Sequence, residues 1–149
     1  KQFDTIYEMF KDFLALLPRW KEVKKSEVLK QKFCSRNRNP LFDISSFSFF
    51  KTKLTSEEGL QSDSPVYDHF IQRTKAVELI FNRLEKNPQM DIFEFINLLK
   101  RFCSVVKISK EEHTKITQYC KKNKTLFNYE AYEVFGIRIK GLSQMLIGG

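Results

Sequence analysis

A short phrase recurs three times along this chain, as Phe42-Asp43-Ile44-Ser45-Ser46-Phe47, Met90-Asp91-Ile92-Phe93-Glu94-Phe95 and Phe127-Asn128-Tyr129-Glu130-Ala131-Tyr132. Each copy reads apolar, Asp or Asn, apolar, two variable residues, aromatic, and each introduces an apolar-rich segment. The last two lie 37 residues apart, counting Glu94 to Ala131, which is the length of one helix–loop–helix unit with its connector. Asp or Asn ahead of apolar residues at helical spacing marks a helix start, because its side chain can accept from the unpaired first-turn N–H groups. The repeat therefore points to an all-α chain in which helices begin again after loops. Only 5 of the 149 residues are Gly, which argues against a turn-rich all-β fold and against a Gly-rich phosphate loop.

Hydrophobic periodicity places the helices. Phe3, Ile6, Tyr7, Phe10, Phe13, Leu14 and Leu17 form a first apolar stripe, which Pro18 is expected to stop. Ser26 to Cys34 reads as a short helix with Val28, Leu29 and Phe33 inward, followed by a polar loop to Leu41. Ile44 to Leu54 resumes an apolar pattern with Phe47, Phe49 and Phe50. Val66 to Leu84 reads as one helix, with Val66, Phe70, Val77, Ile80, Phe81 and Leu84 on one stripe, ended by Asn87-Pro88. Asp91 to Val106 follows with a broad apolar face. Ser109 and Glu112 form a capping box that opens a helix to about Cys120, and a last helix begins near Asn128. Residues 55–65 are rich in Ser, Glu and Asp, and Thr55 with Glu58 fits another capping box. The expected organisation is an N-terminal helical unit over 1–54, a linker over 55–65 and a paired helix–loop–helix lobe over 66–149, packed as one compact domain.

The stretch from Val77 to Phe102 resembles an EF-hand, with Met90 to Phe95 matching the end of the family's loop and Glu94 standing where the bidentate calcium ligand belongs. Phe127 to Tyr132 matches with Ala131 at that position, and Phe42 to Phe47 with Ser46. The resemblance implies a multi-helix bundle of EF-hand-like helix–loop–helix units. It does not imply calcium. Such a loop needs oxygen ligands at its first, third and fifth positions and Gly at the sixth. Counting back from Glu94 gives Arg83, Glu85 and Asn87, with Pro88 at the turn. From Ala131 the count gives Cys120, Lys122 and Lys124, and from Ser46 it gives Ser35, Asn37 and Asn39, with Pro40 at the turn. Cations in ligand positions repel a divalent ion and offer it no oxygen, so neither a metal nor another cofactor is expected.

Catalytic patterns are missing as well. His69 and His113 stand at no metal-ligand spacing and read as surface or capping residues. Cys103 reads as a buried small hydrophobe, whereas the cations beside Cys120 would lower its thiol pKa. There is no nucleophile elbow, phosphate loop, kinase signature or dinucleotide fingerprint. The paired acids Glu57-Glu58 and Glu111-Glu112 read as helix-start charges that complement the helix dipole.

The formal charge of +8 leaves two basic clusters to explain. Lys21, Lys24, Lys25, Lys30, Lys32, Arg36 and Arg38 form the first, with Trp20 as the one aromatic expected to be exposed beside them. Lys121, Lys122 and Lys124 form the second. The leading expectation is a non-catalytic protein-interaction or scaffold domain, of the kind that EF-hand relatives with dead loops provide in cytoskeletal, ciliary or signalling assemblies. Its partner would be an apolar helix or an acidic surface, and Phe95, Leu98, Leu99, Phe102, Tyr132 and Phe135 are the candidate contact residues. The alternative is a basic helical nucleic-acid-binding domain. Three unpaired cysteines, no leader and no long uncharged apolar stretch suggest a cytoplasmic or cytoskeletal setting, or a nuclear one. Residue 1 is Lys, consistent with a piece of a longer protein.

Overall fold

The architecture follows from one aromatic stack. In the computed structural model, which describes residues 1–44, 47 and 54–142, Phe81 lies parallel to Phe13 at 4.8 Å, edge-on to Phe33 at 5.0 Å and against Trp20 at 5.6 Å. Phe95 packs on Phe10 at 4.8 Å and on Phe13 at 5.8 Å. These rings come from four helices: α1 (Gln2–Val23), α2 (Glu27–Arg36), α5 (Arg73–Lys86) and α6 (Ile92–Cys103). Between and after them come α3 (Asn39–Ile44), α4 (Glu57–Gln61), α7 (Lys110–Asn123) and α8 (Tyr129–Val134). Two short strands, β1 (Val66–His69) and β2 (Val105–Ile108), pair antiparallel with Val66 opposite Ile108 and His69 opposite Val105. The chain is mostly helical, and one hydrophobic cluster runs from Ile6 through Phe81 to Leu142. No described helix is long and apolar enough to cross a membrane.

Several local expectations give way to packing. Pro18 sits inside α1 instead of ending it, because Leu17, Trp20 and Val23 continue the buried stripe beyond it. Losing one helical hydrogen bond costs about 3 kcal/mol, which burying Trp20 and Val23 can offset. Trp20, expected to be exposed, is only 1% accessible; its indole N–H donates to Glu85 at 3.3 Å at the edge of the core. Phe3 and Tyr7 lie outside the buried stripe and are exposed, as are Val28 and Leu29 on α2, whose inward residues are Phe33 and Cys34.

The helix expected over Val66 to Leu84 is a strand followed by a helix, and the one expected to reach Val106 ends at Cys103. The β-branched run Val105-Val106-Lys107-Ile108 favours the pleated surface, and Val66-Tyr67 supplies its partner. This sheet joins the segments that precede α5 and α7, not the two loops that precede α6 and α8. The α5–α6 loop spans only the residues between Lys86 and Ile92, since α5 runs on through Arg83 and Glu85. Of the three recurring phrases, the second opens a helix with Asp91 accepting from the Glu94 N–H at 2.8 Å. In the third, Asn128 precedes α8 but turns its side chain elsewhere. In the first, Phe42 to Ile44 already lie inside α3, while Ser45, Ser46, Phe49 and Phe50 fall outside the described residues.

The Ser109–Glu112 capping box is present and is shared with α4. Ser56, not Thr55, caps α4, accepting from the Gly59 N–H at 2.9 Å and donating to Glu112 at 2.6 Å. Ser109 in turn donates to Glu58 at 3.1 Å, so two helix starts stand back to back and exchange their acids. Gly59 is required here: a Cβ would stand 2.3 Å from the Lys107 carbonyl oxygen. The segment expected as a linker is thus docked on β2.

Candidate functional site: a basic cleft over a polar floor

Sequence-distant cations come together where α2 faces α7. The open cleft between them has a volume of about 1000 Å³. Lys30, Lys32 and Arg38 stand on the α2 side, Lys121 and Lys124 on the α7 side, and Lys75 between them at the start of α5. Part of each basic cluster of the sequence, Lys30, Lys32 and Arg38 from the first and Lys121 and Lys124 from the second, thus stands on opposite walls of one cleft. Three carboxylates, Glu27, Glu78 and Asp68, are interspersed.

Some of this charge is already matched. Lys30 bridges Glu27 at 3.0 Å and Glu78 at 3.5 Å, and Lys75 reaches Glu78 at 3.3 Å. Lys32, Lys121 and Lys124 are exposed and carry no ion pair among the described residues. Lys124 adopts a left-handed backbone conformation, φ 54°, where glycine is the usual occupant, and its N–H closes α7 on the Cys120 carbonyl. The remaining cations of the first cluster sit apart: Lys24 pairs with Glu85 at 2.5 Å, Lys25 with Glu22 at 3.7 Å, and Lys21 and Arg36 are exposed outside the cleft. Lys122 is exposed on α7 and does not line it.

The floor is a hydrogen-bond network that sequence reading missed. Asp68 on β1 accepts from Asn128 at 2.9 Å and from the Tyr132 hydroxyl at 2.5 Å. The Asn128 side-chain oxygen accepts from Gln72 at 2.9 Å and from the Cys120 thiol at 3.3 Å. Burial pushes the Asp68 carboxyl above its ordinary range, partly offset by the Tyr132 and Asn128 hydrogen bonds. The Tyr132 hydroxyl is raised too, by burial and then by the Asp68 charge. A signal did exist: Asp68 alone among Val66, Tyr67 and Phe70 is an acid at an inward register position.

Chemistry at Cys120 runs opposite to expectation. Its thiol pKa is pushed up to about 11 by burial, and then by Asp68 and Glu130, while Lys121 and Lys122 are exposed. Cys34 and Cys103 are raised to about 12 by burial. A thiol that donates to Asn128 is not a thiolate nucleophile. His69, expected as a surface or capping residue, is partly buried at a smaller neighbouring cavity, and its Nε2 stands 2.7 Å from Arg73 Nη2.

The expected partner contacts fall elsewhere. Phe95, Leu98, Leu99, Phe102 and Tyr132 are core residues whose side chains are spent on internal packing; Phe135 alone is exposed, edge-on to Tyr119 at 6.0 Å. In this conformation the apolar groove expected from those six residues is closed. Glu94 is exposed and accepts from Asn87 at 3.0 Å. No family model matches the chain, and no curated protein or solved structure is significantly similar to it. What the chain does has to be read from the cleft itself.

Proposed function

We propose that this chain is a non-catalytic protein-binding module that grips an acidic, partly apolar segment of a partner in the cleft between α2 and α7. The observation that carries this reading is the convergence of Lys32 and Arg38 with Lys121 and Lys124 on facing walls. Lys124 supports it: a lysine tolerated in a glycine-favoured conformation keeps a cation at the rim. The EF-hand-like reading of the α5–α6 and α7–α8 hairpins belongs to the same proposal. Such a pair of hairpins, without a metal switch, would offer a constitutive surface.

A protein segment fits the cleft better than a nucleic acid strand does. A strand presents a phosphate at every nucleotide and would meet Glu27 and Glu78 on the way through. No Phe, Tyr or Trp is among the described residues that line this cleft, so it offers no stacking platform, and Trp20 is buried. Exposed Val28 and Leu126 at the cleft instead suit apolar side chains alternating with acids.

A displayed library of random peptides, selected against the whole chain and counter-screened with a Lys121→Glu, Lys124→Glu variant, tests the proposal. Enriched peptides should be acidic with interspersed apolar residues, and should bind the variant about tenfold more weakly or worse, the scale expected for losing two facing charges. Failure to enrich acidic sequences, together with tight, steeply salt-dependent binding of oligothymidylate, would transfer the cleft to nucleic acid.

A further inference from the structure

Behind the cleft, a smaller cavity of about 270 Å³ opens against the start of α5. Arg38 and Arg73 both line it, and neither has a carboxylate partner among the described residues. The Arg38 guanidinium lies over the first turn of α5, 3.4 Å from the Thr74 hydroxyl. The Arg73 guanidinium is stacked 3.5 Å from the Phe42 ring centre, which fixes its plane. Two nitrogens here are fully buried with no partner, Arg73 Nε and His69 Nδ1. His69 Nε2 accepts from Arg73, so the ring proton sits on Nδ1 and that atom is a donor.

The helix start repeats the theme. Gln72 provides no side-chain cap for α5, and the first turn holds no acidic residue. The N–H groups of Arg73, Thr74 and Lys75 find no acceptor among the described residues, and the first turn carries cations where the dipole favours anions. Guanidiniums held together without counter-charge, beside uncapped N–H groups, form an arrangement that an oxyanion completes. Asp68 is the one carboxylate lining this cavity, and its two oxygens are already engaged by Asn128 and Tyr132.

We propose that this cavity is a phosphomonoester subsite, in which Arg38, Arg73 and the first turn of α5 read a phosphorylated side chain on the partner segment seated in the main cleft. The inference rests on the protein-binding reading above. A carboxylate has two oxygens to offer; the donors here approach from α5 and from Arg38 in the turn between α2 and α3, and suit three oxygens on one phosphorus. Arg supplies paired parallel N–H donors for such a group, which Lys does not.

The test is a titration of the isotopically labelled chain with O-phosphoserine, phenyl phosphate, adenosine monophosphate and acetate at matched ionic strength, followed by amide chemical shifts. Phosphoserine and phenyl phosphate should move the amides of Arg73, Thr74 and Lys75 and bind about tenfold tighter than acetate, as charge-assisted multidentate contacts allow. Arg38→Gln, at an exposed position that leaves the core intact, should weaken them about tenfold, and Arg73→Gln at least as much. Equal affinity for acetate, or phosphate shifts that bypass residues 73–75 and survive Arg38→Gln, would overturn the subsite. Adenosine monophosphate binding about tenfold tighter than phosphoserine would assign the cavity to a nucleotide and overturn the peptide source. Lys121→Glu with Lys124→Glu separates the two claims. Phosphoserine binding should persist in that variant, so loss of acidic-peptide binding alone bears on the main cleft, and loss of phosphoserine selectivity alone bears on the subsite.

Discussion

The two sides of α5 are held by different physics. Towards α1 and α2, its buried face meets Phe13, Trp20 and Phe33, with Phe95 of α6 packed on Phe13 behind them, an apolar contact with polar atoms only at its rim. At its N-terminal end, towards β1, α7 and α8, contact runs through Gln72, Asn128, Asp68 and Tyr132, a chain of hydrogen bonds that is partly buried at Gln72 and Asn128 and fully buried at Tyr132. Apolar packing is indifferent to direction and supplies most of the stabilisation. Buried polar pairs stabilise little on balance and fix geometry, because each donor left alone costs more than its bond gains. The aromatic side makes the fold, and the polar side sets where the cleft's walls stand.

Breaking the aromatic side should cost most. Phe81→Ala removes a ring with no exposed surface and three ring neighbours, and should destabilise by about 4 kcal/mol in denaturant melts. A loss under about 1 kcal/mol would mean the stack is not the core.

Acid should act through the polar side. His69 titrates near 6.5 when unfolded, but burial first and Arg73 second push it down to about 4 in the fold. Between those values the unfolded chain binds the extra proton, so stability should fall as pH drops from about 6.5 to 4 and level off below. The linked loss is at most ~3 kcal/mol. Asp68 works in the opposite direction, since its raised pKa lets the folded state take up a proton first. Melting His69→Gln beside the parent chain isolates the histidine: the two pH profiles should converge at acid pH, and parallel profiles would place His69 in solvent.

Tyr132→Phe deletes one donor to Asp68 and should cost about 2 kcal/mol, the scale for a hydrogen bond to a charged group. It should also raise the Asp68 pKa further, readable by carboxyl NMR, because that hydrogen bond lowers it. Lys124→Gly should change least and in the other direction. Relieving φ 54° should stabilise by about 1 kcal/mol while weakening acidic-peptide binding, a divergence that melts and titrations read separately.

Much of the aromatic side was legible in the sequence. Phe10 and Phe13 on α1, Phe81 on α5 and Phe95 on α6 each fall on an apolar stripe of helical spacing, and Asp91 and the Ser109–Glu112 pair mark helix starts correctly. Strand β1 was not, because Val66 and Phe70 also satisfy a helical interval and a four-residue strand is too short to show alternation. Trp20 is expected outside because Pro18 reads locally as a stop, whereas α1 continues past it to Val23. The basic clusters were visible as composition, but their convergence depends on α2 packing on α5 and α7 packing on β1, so that α2 and α7 face each other across the cleft, a placement that no local pattern encodes. The Asp68–Asn128–Tyr132 network is of the same kind, joining residues about 60 apart in the chain.

Amide shift mapping with an enriched acidic peptide tests the cleft most directly. Shifts should concentrate on the α2 wall from Glu27 to Arg38, on Gln72 to Lys75, and on the α7 wall and its loop from Thr117 to Asn128. Shifts confined instead to the exposed rings of Phe3, Tyr7 and Phe93 on the far end of α1 and α6, with both walls silent, would contradict the assignment.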